Sequence, residues 1–383
     1  MPRTPKPRKG ERADFTVTPW EVKGEVDYDL LLREFGTQRI DADLKERVRR
    51  LTGGPLHYLL RRDLFFSHRD LPWILSEFEK GNPFVLYTGR GPSEHTHLGH
   101  LVPWMFTKWL QESFEVPLLF QLTDDEKFLF KDDLTRERAL GYARENILDI
   151  LALGFDPART RFILDTRDAA LLYPHALEVA KRVTYSTAKA VFGFTNDTSI
   201  GSIFFTAMQS VPAFLPSIEA GKAVPVLIPC AIDQDPHFRV TRDVAPKLGY
   251  PKPALVHCKF IPGLQGPKGK MSASDPANTI FTTDPPEEAE RKVMRAFTGG
   301  QPTVEEQRKK GGNPDICSVC QYLAFFFEPD DKKLHERLAA YRRGEILDGE
   351  NKAYLAEKVS AFLKEHQRKR EQARGRLDEI LTA

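Results

Sequence analysis

The sequence predicts an α/β fold built on a doubly wound parallel sheet, carrying a connecting helical insertion and followed by an all-α domain. Three observations predict it. Between residues 84 and 258, short apolar runs of strand length alternate with stretches of helical periodicity. The alternation is interrupted once, over about 167–220, by a stretch that is helical throughout, and beyond 285 no strand pattern recurs. The 383 residues suffice for two to three domains, and 41% hydrophobic with 29% charged residues is an ordinary globular composition. No apolar stretch approaches the ~20 residues of a membrane span. The opening residues, MPRTPKPRKGER, lack the apolar core of a signal peptide, so the expected compartment is cytoplasmic. A net charge of only +2 excludes indiscriminate coating of nucleic acid; any such contact must come from local patches.

In chain order, residues 1–80 form a basic tail and an N-terminal extension. A short hairpin is expected around Pro19-Trp20, with helices over 27–50 and 72–80. Trp20 is either a core anchor or part of a flap over the site, and the sequence favours core. The stretch 84–114, FVLYTGRGPSEHTHLGHLVPWMFTKWLQESF, then reads as strand, glycine loop and helix. Such a unit places backbone N–H groups and a helix N-terminus just beyond a strand, where phosphate is held. His97 and His100 lie one turn apart at the helix entrance, Arg90 adds a positive charge, and Gly91 and Gly99 let a ligand approach the backbone.

A second apolar strand at 116–123 completes a βαβ unit and hence a parallel pair. Gln121 and Glu126, near its end, face the expected crevice as site candidates or merely cap the next element. A helix follows over 135–154 and a strand over 161–165. Within the helical insertion, Gln209 is a polar residue in an apolar context, either a packing hydrogen bond or a substrate contact. Strands at 224–228 and 254–258 flank a helix over 238–248. A glycine- and proline-rich loop then leads to Lys270-Met271-Ser272-Ala273-Ser274, where one lysine and two hydroxyls suit a polyphosphate. Helices are expected over 286–298, 303–310, 315–328, 331–343 and 350–381. Four cysteines argue against a disulfide framework, and Cys317-x-x-Cys320 reads as core thiols rather than half a metal site.

A His-x-Gly-His at a strand-to-helix turn, followed about 170 residues later by Lys-Met-Ser-Ala-Ser and then a helical domain, resembles a class I aminoacyl-tRNA synthetase with a Rossmann-like catalytic domain. YTGRGPS at 87–93, QLTDDEKF at 121–128, CAIDQDPHFRVTRDVAP at 230–246 and KMSASDP at 270–276 narrow the resemblance to the tryptophanyl-tRNA synthetases of the eukaryotic and archaeal type, over residues 15–380. It implies a catalytic domain over 81–285 and an anticodon-binding domain over 286–383. It implies further that Tyr87 and Gln121 bond the indole N–H, and that Glu126, Gln209 and Gln234 hold the ammonium and carboxylate of tryptophan. His97, His100 and Lys270 would be catalytic, with Arg90, Gly91, Gly99, Ser272 and Ser274 meeting ATP. Ala273 replaces the second lysine of the common Lys-Met-Ser-Lys-Ser loop, which puts more weight on Lys270. The implied partners are ATP, Mg²⁺ carried by the ATP phosphates, L-tryptophan, tRNA(Trp) and a second copy of the chain. A tyrosyl-tRNA synthetase, a small-molecule adenylyltransferase and a catalytically silent descendant are the competing readings.

Overall fold

The computed structural model describes residues 15–17, 22–24 and 26–382, leaving aside the side chains at 23, 268–270 and 382. Trp20, and with it the choice between flap and core anchor, lies outside the described residues. Strands β1 (Thr16–Val17) and β2 (Val22–Lys23) pair antiparallel, as the expected hairpin requires. The helical stretch expected over 27–50 is divided. Asp27 caps a helix over Tyr28–Phe35 by accepting from the Asp29 and Leu30 amides, and Gly36, at φ 65°, ends it in the left-handed conformation. After strand β3 (Gln38–Arg39), Asp41 caps a second helix over Ala42–Thr52.

Strand β4 (Phe65–Arg69) was not apparent in the sequence pattern. Both its faces are covered, so Phe65, Phe66, Ser67 and His68 are all buried and no polar-apolar alternation marks it. The polar members are paired inside: Ser67 Oγ lies 3.0 Å from His257 Nδ1. The remaining strands are β5 (Val85–Arg90), β6 (Leu118–Leu122), β7 (Thr160–Leu164), β8 (Val226–Ala231) and β9 (Ala254–Cys258). Together they form a seven-stranded sheet in the order β3-β4-β9-β8-β5-β6-β7. Strands β5 to β9 pair in parallel and β3 and β4 antiparallel at one edge, so the N-terminal extension contributes two strands to the catalytic sheet. The final short hairpin, β10 (Pro262–Gly263) and β11 (Gly266–Lys270), lies in what the sequence reads as loop.

The period-two pleat of β5 divides the interior. Leu86 joins Trp104 and Phe120 in an apolar cluster that continues through Tyr322, Phe327, Leu355 and Leu363 of the C-terminal helices. Tyr87, on the other face, joins Phe205, Phe214 and Phe238 under the helical insertion. No break in the core marks residue 285, although secondary structure does change there. The long helix Asp348–Arg374 packs on Arg136–Ala152 and Pro286–Met294. Its buried polar face meets the first of these: His366 Nε2 lies 2.9 Å and Arg370 Nη1 2.5 Å from Asp149. Cys317 and Cys320 are buried thiols beneath Asn351, whose amide donates to Cys320 Sγ at 3.4 Å.

Strand β4 is locked to the parallel core by charge. Arg69 donates from Nε and Nη2 to the two oxygens of Asp235, at 2.6 and 2.9 Å, and also to the carbonyls of Phe35 and Gly36. Burial by itself would raise the Asp235 carboxyl, but Arg69 and His257 hold it far below the usual carboxylate range. Arg69→Ala removes the nearest partner of that buried charge, leaving His257 at 3.3 Å and Arg239 at 3.7 Å, and is expected to lower the unfolding free energy by about 1.5–3 kcal/mol. Urea denaturation checks it, with Arg49→Ala, at an exposed pair with Glu46, expected to shift stability by less than about 0.5 kcal/mol.

Candidate active site

Strands β6 and β7 lie on one side of β5, and β8 and β9 on the other. Loops leaving the carboxyl ends of β5 and β8 therefore diverge, and the crevice between them is where doubly wound sheets bind ligands. A cleft of about 350 Å³ opens there. Its lining includes Arg90 and Gly91 after β5, His97, Gly99 and His100 at the head of helix Leu98–Phe114, Glu126 after β6, Gln209 from the insertion, and Gln234 after β8. Eight of the thirteen residues singled out from sequence thus come together, from five separate stretches of chain.

The helix head is compact. The His97 and His100 rings stack with centroids 3.5 Å apart, and the His97 amide donates to His100 Nδ1 at 3.2 Å. A Cβ on Gly99 would sit 3.0 Å from the His97 ring, so glycine is what lets the rings and the backbone share this corner. At Gly91 the reason is different: a Cβ would fall 2.6 Å from Glu126 Oε2 and 2.5 Å from Lys127 Cε. Burial raises the Glu126 carboxyl, while Lys127, at 3.3 Å, and the Thr123 hydroxyl, at 2.7 Å, outweigh it and bring the net shift below the ordinary value. Glu126 thus presents a negative charge to the cleft.

Arg90 is buried, which lowers its guanidinium to about 10 and leaves it charged at neutral pH. Its Nε donates to Asn146 Oδ1 at 2.7 Å, and Nη2 donates to Ser93 Oγ at 2.6 Å and to the His95 carbonyl at 3.2 Å. Asn146 in turn donates to the Ser93 carbonyl and accepts from its amide. Together they staple the loop 91–95 in place.

Tyr87 and Gln121 are fully buried one layer behind the cleft wall. The Tyr87 hydroxyl donates to Gln121 Oε1 at 2.5 Å and accepts from Gln209 Nε2 at 3.1 Å. Gln209 therefore stands between the pair and the cleft. Of the loop after β11, Met271 lines the cleft while Ser272 and Ser274 bond to one another at 2.9 Å. Lys270 ends β11, and its side chain is among those not described. Among the described residues no group of three His, Cys, Asp or Glu is placed to hold a metal ion.

The pattern of the class I tRNA synthetases for tryptophan and tyrosine (W and Y) matches residues 79–364. The chain belongs to this family. It is 53% identical over 361 residues to the tryptophan–tRNA ligase of Pyrococcus furiosus, covering 94% of this chain and 92% of that protein. It is 51% identical to that of Sulfolobus acidocaldarius over 362 residues, covering 94% and 93%. Among solved structures, the tryptophanyl-tRNA synthetase of Plasmodium falciparum superposes with a TM-score of 0.88 at 39% identity, covering 94% of this chain and 98% of that one.

Sequence reading missed three residues that shape this cleft and its surroundings. Asn146 holds the loop, Asp165 holds Gln121 through both carboxylate oxygens at 2.8 and 2.9 Å, and His237 lines the cleft. The available signal for Asn146 was its place between Ala143, Ile147 and Ile150, on a buried helix face whose other polar member is Asp149. For Asp165, one residue past β7, no local signal exists.

Burial holds the His237 imidazole down to about 4, with Glu126 opposing the shift. Its folded value lies below the unfolded value of ~6.5, so the unfolded chain takes up the proton first as pH falls. The contribution is whole above about pH 6.5 and is lost progressively towards about pH 4. Relative to His237→Gln, the native chain is expected to lose roughly 2–3 kcal/mol across that window, read from urea midpoints at successive pH values.

Proposed function

We propose that this synthetase activates L-tryptophan with ATP to tryptophanyl-adenylate and transfers the tryptophanyl group to the terminal adenosine of tRNA(Trp). The observation that carries the assignment is identity of about half over nearly the full length of tryptophan–tRNA ligases, on both sides of the comparison. The cleft at the strand-order reversal agrees with it in shape and charge.

In the first step the tryptophan carboxylate attacks the α-phosphorus of ATP in line and pyrophosphate leaves. No protein nucleophile is required, and catalysis is positioning plus charge stabilisation. His97, His100 and the N-terminus of their helix meet the phosphates, and Arg90 holds the loop beside them. Gly91 and Gly99 admit the nucleotide to the backbone. Lys270, Ser272 and Ser274 act on the leaving pyrophosphate once their loop approaches the cleft. Mg²⁺ enters with ATP, held mainly by the phosphates. Glu126 pairs with the tryptophan ammonium, and Gln209 and Gln234 with its polar end. Displacement of the Gln209 amide from Tyr87 opens the Tyr87–Gln121 pair to the indole N–H. In the second step the 2′-hydroxyl of the terminal ribose attacks the adenylate carbonyl and AMP leaves.

The remaining assignments follow the chain. Residues 1–80 form the basic tail and extension, 81–285 the catalytic domain with its insertion at about 167–220, and 286–383 the anticodon-binding domain, where unstacked bases meet side chains. The enzyme works in the cytoplasm as a homodimer. Exposed Tyr173, Leu177 and Ile200 on the insertion supply apolar surface for that contact. Leu177→Glu combined with Ile200→Glu is expected to convert the dimer to a monomer in sedimentation velocity.

The function is tested by amino-acid-dependent exchange of labelled pyrophosphate into ATP with tryptophan, tyrosine and phenylalanine. Exchange is expected with tryptophan alone; exchange with tyrosine would overturn the pocket assignment. Gln121→Ala is expected to narrow the tryptophan-to-phenylalanine ratio by at least ~10-fold while leaving the KM for ATP within about twofold, because buried polar groups reject a ligand that cannot pair with them.

A further inference from the structure

Tyr87, Gln121, Gln209 and Asp165 form one hydrogen-bonded chain that runs from the cleft wall to the interior, and its direction is a chemical question. Three of its members are ambivalent. An amide both donates and accepts, and so does a phenol. Read one way, Gln209 Nε2 donates to Tyr87 Oη, Tyr87 donates to Gln121 Oε1, and Gln121 Nε2 donates to Asp165. Read the other way, Gln121 would donate to Tyr87, and the Tyr87 hydroxyl would turn to the Gln209 carbonyl oxygen, which lies 3.2 Å away. Only the inner end removes the ambiguity. Both oxygens of Asp165 face Gln121 Nε2, and an amide N–H there can only donate to them.

We infer that Asp165 is a positioning residue for amino-acid choice: its acceptor-only end polarises the whole chain, so that Gln121 Oε1 and Tyr87 Oη are presented as acceptors to a ring N–H. This rests on the reading that the Tyr87–Gln121 pair meets the indole. Asp165 is completely buried and hydrogen-bonds to Asp125. Burial and the Asp125 charge raise the Asp165 carboxyl well above its ordinary value, and its hydrogen bond to Asp125 acts in the same direction, so the proton Asp165 keeps goes to Asp125 while its oxygens accept from Gln121 Nε2. Burial also raises the Tyr87 phenol, so its hydroxyl keeps the proton it donates. With the direction set, a substrate with a ring N–H completes the chain, and a ring that offers an acceptor at the same place meets two acceptors.

The test replaces the polarising end by a group that works either way. Asp165→Asn is isosteric and both donates and accepts, and Asp165→Ser does the same with less bulk. Each is compared with the parent enzyme and with Gln121→Ala in pyrophosphate exchange, using tryptophan and β-(benzofuran-3-yl)alanine, whose ring oxygen replaces the N–H. The parent is expected to prefer tryptophan at least ~100-fold. In Asp165→Asn that preference falls ~10-fold or more, with kcat/KM for the benzofuran rising in absolute terms and the KM for ATP unchanged, because the amide of Gln121 is now free to turn. A rise in benzofuran activity is not something general loosening of the fold produces. If either Asp165 variant lowers both substrates equally or keeps the parental ratio, while Gln121→Ala narrows it, the positioning role is overturned and the indole reading stands. If Gln121→Ala itself keeps the parental ratio, the indole reading fails and takes this inference with it.

Discussion

Everything in the site depends on the reversal of strand order between β5 and β8. Because β6 and β7 lie to one side of β5 and β8 and β9 to the other, no connection crosses the carboxyl ends of the central pair, and a crevice is left open by topology. The helix that follows β5 begins at that crevice, and His97, Gly99 and His100 line it there.

The second constraint is burial of polar groups, which must then be paired. Arg90 is buried at the mouth of the cleft and Asn146 answers it. One turn further along the same helix, Asp149 is buried against His366 and Arg370 of the last long helix. Burial raises Asp149, and the hydrogen bond from His366 with the charge of Arg370 outweighs it and brings the carboxyl below its ordinary value. A single helix thus connects the loop at the mouth of the cleft to the C-terminal helices through facing polar residues. The shared apolar cluster makes the same connection. The helical region is fastened to the sheet layer rather than hung from it.

The third is direction within a hydrogen-bonded chain. Amides and hydroxyls leave direction open, and at the inner end the buried Asp165 carboxyl accepts from Gln121. Discrimination among planar aromatic substrates by polarity then requires few contacts, since an unpaired acceptor in a dry pocket is expensive.

Much of this was legible in one dimension. The apolar run at 84–87, the glycines at 89 and 91 and the spacing of Leu98, Leu101 and Phe106 are local signals, and they locate the strand, turn and helix that build the site. Backbone preference and periodicity act over a few residues, and so they can be read from a few residues. Strand β4 escaped because a strand buried on both faces loses its alternation, and the helix over 27–50 was divided by a cap and a left-handed glycine at its middle. Asn146, Asp165 and Arg69 escaped for a stronger reason: each derives its role from a partner 44 to 166 positions away, as the pairs Asn146–Arg90, Asp165–Gln121 and Arg69–Asp235 show. The chain by itself determined which residues carry charge, which form helices and which form the glycine turn. Only the tertiary structure decided which polar groups lose water together, and desolvation is what turns a set of ordinary side chains into an oriented site.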